Sequence, residues 1–224
     1  MSRRILLLGF FIVVVASLLI IIFKLPVNKK NQSPINLAIS EKTLADSIAD
    51  GSNKQSPLLS EPISQARQRI TKKPFGIRIF PQDSPVTPER FSGYHTGVDF
   101  EIFLGEENTE VAVFAVCDGK ILLKRWVSGY GGVLIQNCVL EEADVTVLYG
   151  HLNLSSIALE VGQQILSGGK IGILGQGYTN DTDGERKHLH LGIHKGSEID
   201  LRGYVSTVGE LDNWINLVLY LAEY

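Results

Sequence analysis

Acidic and basic residues nearly cancel in this 224-residue chain: 21 Lys and Arg stand against 24 Asp and Glu, a formal net charge of -3. A nucleic-acid binder needs a basic surplus to meet phosphates, so that class is excluded. Cysteine is scarce, with Cys117 and Cys138 the only two, and neither lies near the N-terminus. An N-terminal cysteine carrying a lipid is therefore excluded. The two flank a predicted hairpin and can bond in an oxidising compartment, but small free thiols pack well in cores, and two buried strand thiols are the simpler expectation. No H-E-x-x-H helix is present, which excludes a thermolysin-like mechanism, and neither G-x-S-x-G nor a phosphate-binding loop occurs.

Charge is missing altogether from residues 5–23, an unbroken apolar run with Arg3 and Arg4 before it and Lys24, Lys29 and Lys30 after it. As a helix it spans ~28 Å, close to the ~30 Å hydrocarbon core of a bilayer. A cleaved signal peptide has a shorter apolar region ending in small residues. Here the small pair Ala16-Ser17 lies inside the run. The reading is an uncleaved N-terminal transmembrane anchor over 1–24. Basic residues at both ends leave orientation undecided by charge. A short N-terminus normally stays inside, which puts the chain from residue 25 onward outside the cell membrane.

Residues 25–68 are polar, with Pro26, Pro34, Pro57 and Pro62 scattered among Ser, Asn, Gln and Lys. They read as a flexible stalk with one short helix over 40–50, capped by Ser40. As a coil the stalk spans about 40 Å, and fully stretched ~150 Å.

From 69 to 209 the texture changes to short apolar runs punctuated by glycine, and strands are predicted over 76–80, 98–103, 111–116, 120–126, 133–139, 145–149 and 188–194. The stretch Ser128-Gly-Tyr-Gly-Gly is a turn between two of them. The fold class is mainly β, an antiparallel sheet or sandwich with one core. In the tail, 210–224, Trp214, Leu217, Val218 and Leu221 recur at the spacing of one helix face. A short C-terminal helix packed on the domain is predicted, too short to cross a membrane.

Histidine is also scarce, yet the five present are gathered beside glycine-rich turns: His95, His151, His188, His190 and His194. Residues two apart on a strand share a face. Leu189, Leu191 and Ile193 thus oppose His188, His190 and His194, while Asp99 and Glu101 oppose Val98, Phe100 and Ile102. Imidazoles and a carboxylate presented from two strands can converge on one metal, and hydrolytic zinc takes three protein ligands and leaves a fourth position for water. An H-x-H pair alone is a weak signal; four histidines with an aspartate, each among glycines and apolar residues, are a much stronger one.

His95-Thr-Gly-Val-Asp99, Tyr149-Gly-His151-Leu and His188-Leu-His190-Leu resemble the three signature motifs of the lysostaphin-type zinc metallopeptidases, which cut peptide cross-links in bacterial cell walls. The segment 161–175 resembles the stretch leading to the last motif, so the likeness covers roughly 75–200. It implies one zinc per chain on His95, Asp99 and His190. It assigns His151 and His188 to acid–base work and to the tetrahedral intermediate, without saying which takes the proton. It implies an antiparallel β core with an open groove, and peptidoglycan cross-links as the substrate.

His194 departs from the family pattern and reads as a solvated neighbour. The loop 176–187 is long and reads as a mobile groove rim; as a calcium loop it fails, because Thr179 and His190 fall where carboxylates are needed. Glu101 is either a support behind the metal ligands or merely exposed. Tyr94 and Tyr149 adjoin motif histidines and read as packing residues. The leading expectation is a membrane-anchored zinc endopeptidase acting on peptidoglycan. The rivals are a non-catalytic wall-binding scaffold or activator of other hydrolases, and a processing protease for exported proteins. A protein activator that opens the groove is compatible with the sequence.

Overall fold

The computed structural model describes residues 59–222. The predicted anchor, and the stalk up to residue 58, lie outside the described residues. Among the described residues no helix is long and apolar enough to cross a membrane. Those residues form twelve strands: β1 (Arg78–Ile79), β2 (Gly93–His95), β3 (Gly97–Glu101), β4 (Ala112–Phe114), β5 (Gly119–Val127), β6 (Gly131–Leu140), β7 (Ala143–Leu152), β8 (Gln164–Ile165), β9 (Lys170–Ile173), β10 (His188–Lys195), β11 (Tyr204–Val205) and β12 (Trp214–Ile215). Each of the seven predicted runs contains or overlaps a strand; the short β2, β8, β9, β11 and β12 lacked a long enough apolar run to stand out.

The main sheet runs β12-β10-β7-β6-β5-β8, with β3 also paired to β10. Every pairing in it is antiparallel. Strand β10 is its pivot: His190 pairs with Gly150 of β7 on one edge and with Asp99 of β3 on the other, and β12 continues the β3 edge from Ile193. A three-stranded sheet β1-β2-β11 and the pair β4-β9 complete the domain. β6 and β7 are joined by Glu141 and Glu142, both at positive φ (50° and 66°). A type I′ turn, one of the two favoured in two-residue hairpins, has that sign at both central positions and matches strand twist.

Alternation assigns the faces. Leu189, Leu191 and Ile193 join Val98, Phe100, Val145, Val147 and Tyr149 in the main core, all buried. The opposite face carries a smaller cluster of Tyr130, Val133, Ile135 and Leu148. His188, His190 and Asp99 lie on that second face, so the polar set rests on a sheet packed from behind.

Three expectations are corrected. The stalk does not run to residue 68, because Leu59, Ile63 and Ala66 are buried in the core and Ser60 N–H donates to the Val116 carbonyl at 2.8 Å. The tail is not one helix. Trp214 pairs with His194 as a strand, and only short 3-10 turns, Val208–Asn213 and Leu217–Tyr220, flank it. Arg67 explains part of this, since its guanidinium donates to the carbonyls of Val218, Leu221 and Ala222 at 2.7–2.9 Å, which an α-helical tail would spend internally or leave to solvent. Leu217 and Leu221 are nevertheless buried, so the tail packs on the domain. Finally, Cys117 and Cys138 are not separate thiols: their Cα atoms lie 6.1 Å apart and the two are paired as a disulfide, within the span such a bond bridges.

Candidate metal centre

β2 ends at His95, and β3 begins two residues later, so the chain turns once between the two members of H-x-x-x-D. His95 Nε2 lies 3.2 Å from Asp99 Oδ1. Across the β3–β10 register pair, His190 Nδ1 lies 3.0 Å from the same oxygen and 3.0 Å from His95 Nε2. One ligand atom from each of these three buried residues falls within 4.8 Å of the others. Zinc with bonds near 2.0–2.2 Å in tetrahedral geometry sets its ligand atoms roughly 3.3–3.6 Å apart. The donor set and its spacing therefore fit zinc, after a small expansion. His95 Nδ1 faces the Pro74 carbonyl at 3.3 Å, a partner that keeps the proton there and leaves Nε2 for a metal.

Electrostatics points the same way. Burial would raise Asp99, but His188 and His95 outweigh it and hold the carboxyl well below its usual range, as an anion. Burial pushes His190 down to about 4, against the pull of Asp99, which favours the neutral ring that binds metal. Burial, helped by the adjacent His188, likewise holds His151 well below its usual value.

His151 arrives on this face by a local irregularity. Regular alternation after Gly150, which pairs with His190, would turn residue 151 into the core beside Tyr149. The β6–β7 register instead slips between Gly132 and Val133, which pair with Leu152 and Gly150. His151 is the extra residue of a bulge, at φ 62°, a conformation that redirects a side chain. Its ring sits 4.2 Å, centroid to centroid, from that of His188. The Gly before it is required by space: a Cβ at Gly150 would lie 2.7 Å from the Tyr130 ring.

These groups line one pocket of about 240 Å³, with His151, His188, His190 and Asp99 in its wall. Five predicted site residues are thus brought together, since His95 joins them through its contacts with Asp99 and His190. Others stand apart. His194 is not in the wall; it is a partly buried neighbour, edge-on against Trp214 at 5.0 Å. Tyr149 is a core residue whose hydroxyl donates to Gln136 Oε1 and accepts from Val116 N–H, both at 2.9 Å. Glu101 is buried and bound by Arg186.

The sequence reading missed several wall residues, Tyr130, Tyr204, Lys73 and Arg186 among them. Tyr130, in the turn before β6, has a buried hydroxyl without a partner among the described residues and a ring 5.2 Å from His190. Its position between glycines was the available signal. Tyr204 of β11 lies 5.2 Å from the His95 ring, and its hydroxyl accepts from Lys73 Nζ at 3.0 Å. Lys73 in turn is paired with the buried carboxylate of Glu89. Arg186 lies in the rim loop, which is pinned rather than loose: Gly129 N–H donates to Asp183 Oδ2 at 2.7 Å, and Arg90 Nε to Glu185 at 2.8 Å.

Two histidines and a carboxylate on antiparallel strands, with two more imidazoles beside them, make up a donor set of the kind hydrolytic zinc takes. Residues 93–201 match the model of Peptidase family M23. That match spans 109 of the 224 residues and takes in all five residues gathered at the pocket. Among solved structures, the catalytic domain of lysostaphin from Staphylococcus simulans is similar at 20% identity, over 71% of this chain and 98% of that one, with a TM-score of 0.47. Csd3 from Helicobacter pylori is similar at 27% identity over 68% of this chain, with a TM-score of 0.41; the match spans 36% of the Csd3 chain. A zinc-containing peptidase from Vibrio cholerae is similar at 22% identity, over 63% of this chain and 40% of that one, with a TM-score of 0.39. Among curated protein sequences, none matches this chain.

Proposed function

We propose that this protein is a membrane-anchored zinc metalloendopeptidase that hydrolyses peptide cross-links of bacterial peptidoglycan outside the cell membrane. The observation that carries the reading is the convergence of His95, Asp99 and His190 within 4.8 Å, in a pocket whose wall also holds His151 and His188. His95, Asp99 and His190 hold the metal, one ion per chain. Zinc there supplies Lewis-acid polarisation of a peptide carbonyl and acidification of a water.

The chain's own residues do the rest. Burial holds His151 towards its neutral form, and among the described residues its buried Nδ1 has no partner; it is free to exchange a proton with a group entering the pocket. His188 is held by its Nδ1, 2.9 Å from the Arg186 carbonyl, which fixes the ring beside Asp99. The pair handles the proton and steadies the oxygen of the tetrahedral state. The apolar run 5–23 is the anchor, in keeping with its length. A disulfide between Cys117 and Cys138 is in keeping with an oxidising compartment.

The test is digestion of purified peptidoglycan by the full-length protein, with zinc content measured on the same sample. New peptide amino ends, lost on chelation and restored by zinc, support the reading. Stoichiometric zinc with no cleavage of wall material, but cleavage of an exported protein, replaces the substrate. No metal binding at all removes the enzyme reading.

A further inference from the structure

We propose that Arg186 is a positioning residue that turns the Asp99 carboxylate so that only Oδ1 faces the metal. The proposal rests on the metallopeptidase reading and concerns how that site keeps a coordination position open.

The two oxygens of Asp99 are in different company. Oδ1 lies 3.2 Å from His95 Nε2 and 3.0 Å from His190 Nδ1, inside the donor cluster. Oδ2 points away from it, 2.8 Å from Arg186 Nη2 and 3.3 Å from His188 Nε2. The guanidinium is itself anchored: its Nε lies 3.1 and 3.0 Å from the two carboxylate oxygens of Glu101. Glu101 is two residues along β3 from Asp99 and shares its face. Arg186 therefore bridges two neighbouring carboxylates of one strand.

Only a planar fork can do this. A guanidinium presents several N–H groups at fixed angles, whereas an ammonium is a point charge on a flexible stem. The side chains of Arg186, Asp99 and Glu101 are 11%, 3% and 9% exposed, so solvent does little to replace a lost partner. A carboxylate free to rotate can offer both oxygens to a metal and fill the position a water needs. With Oδ2 held by Arg186, that second bond is denied. The backbone of the same residue orients His188 through its carbonyl at 2.9 Å, so residue 186 sets the direction of one ligand and of its neighbouring imidazole. Removing the arginine also strips Glu101 of its main partner, leaving Lys72 at 3.7 Å.

The experiment uses the full-length protein loaded with cobalt(II), comparing the parent with Arg186→Lys and Arg186→Gln. Both variants should keep stoichiometric metal while the visible cobalt band shifts and weakens, as it does when coordination number rises. Activity should show the same lesion as a fall of about 10- to 100-fold in kcat with KM little changed. Arg186→Lys should not rescue either readout, since charge alone does not make the bridge. A variant spectrum identical to the parent's overturns the proposal, as does loss of metal from a folded variant. Should neither variant fold, a crystal structure of the zinc-loaded parent decides: Oδ1 alone bonded to zinc, with Oδ2 kept by Arg186, supports it, and both oxygens bonded overturns it. A parent that binds no metal removes this proposal together with the metallopeptidase reading, whereas a metal-loaded, active parent with unchanged variants removes this proposal alone.

Discussion

Asp99 and His190 stand directly opposite each other across β3 and β10, and their Oδ1 and Nδ1 atoms are 3.0 Å apart. A register pair places side chains on the same face at close range. Slipping β10 by one residue would send His190 into the core and bring a leucine to Asp99. The metal cluster is therefore a property of strand register as much as of residue identity.

His190→Ala should lose metal and activity together, because it removes one of three donors. His188→Ala should keep the metal and lose turnover by about 10²–10⁴-fold, the range of an acid–base group. Metal per chain and kcat, measured on both variants, check this. Equal metal loss in the two would undo the division of roles.

The bulge at His151 makes a separate prediction. Any replacement removes the imidazole and should abolish cleavage. Backbone strain separates the replacements, since φ 62° suits glycine and disfavours alanine. His151→Gly should be the more stable of the two, by up to about 1 kcal/mol, read as a higher Tm than that of His151→Ala. A lower Tm for the glycine variant would count against the bulge.

Tyr149→Phe should destabilise the domain without touching the metal. Its hydroxyl satisfies both Gln136 Oε1 and Val116 N–H in the buried core. Leaving those groups unpaired costs about 1–3 kcal/mol. Denaturant titration of parent and variant measures the loss, and metal content should not change.

Acid should weaken the metal-free protein. Burial lowers His190 to about 4 in the folded state, below the roughly 6.5 of an unfolded chain. The unfolded chain then binds the proton first, so stability declines as pH falls from about 6.5 and levels off below about 4. His151 is shifted in the same direction and adds to the slope. Thermal unfolding of the metal-stripped protein between pH 7 and 4 should show this decline, and it should be shallower in His190→Ala. Parallel slopes would assign the acid sensitivity elsewhere.

Much of this site could be read along the chain, because strand periodicity is local. The alternation of Leu189, Leu191 and Ile193 with His188 and His190, and of Asp99 and Glu101 with Val98 and Phe100, needs only a period of two. The motif spacing marked His95 and Asp99, and the glycine-rich turn at 128–132 separated β5 from β6. The tail was misread for the same reason. Trp214, Leu217 and Leu221 carry a helical period, but Trp214 is captured by β10 and the carbonyls after it by Arg67.

The amino-acid order by itself determined the β texture of the domain and the faces of β3 and β10, which put Asp99, His188 and His190 opposite the apolar set, since these follow from side-chain type and near-neighbour spacing. Tertiary structure alone decided four things. It placed the bulge that brings His151 to the site, through a register slip against β6. It delivered Tyr130 and Tyr204 from distant segments, and it paired Cys117 with Cys138. It also carried Arg186 across the rim to Asp99 and Glu101, 87 and 85 residues away in the chain. Contacts at such separations leave no local period, because they depend on which strand edge meets which loop once the sheet has closed over its core.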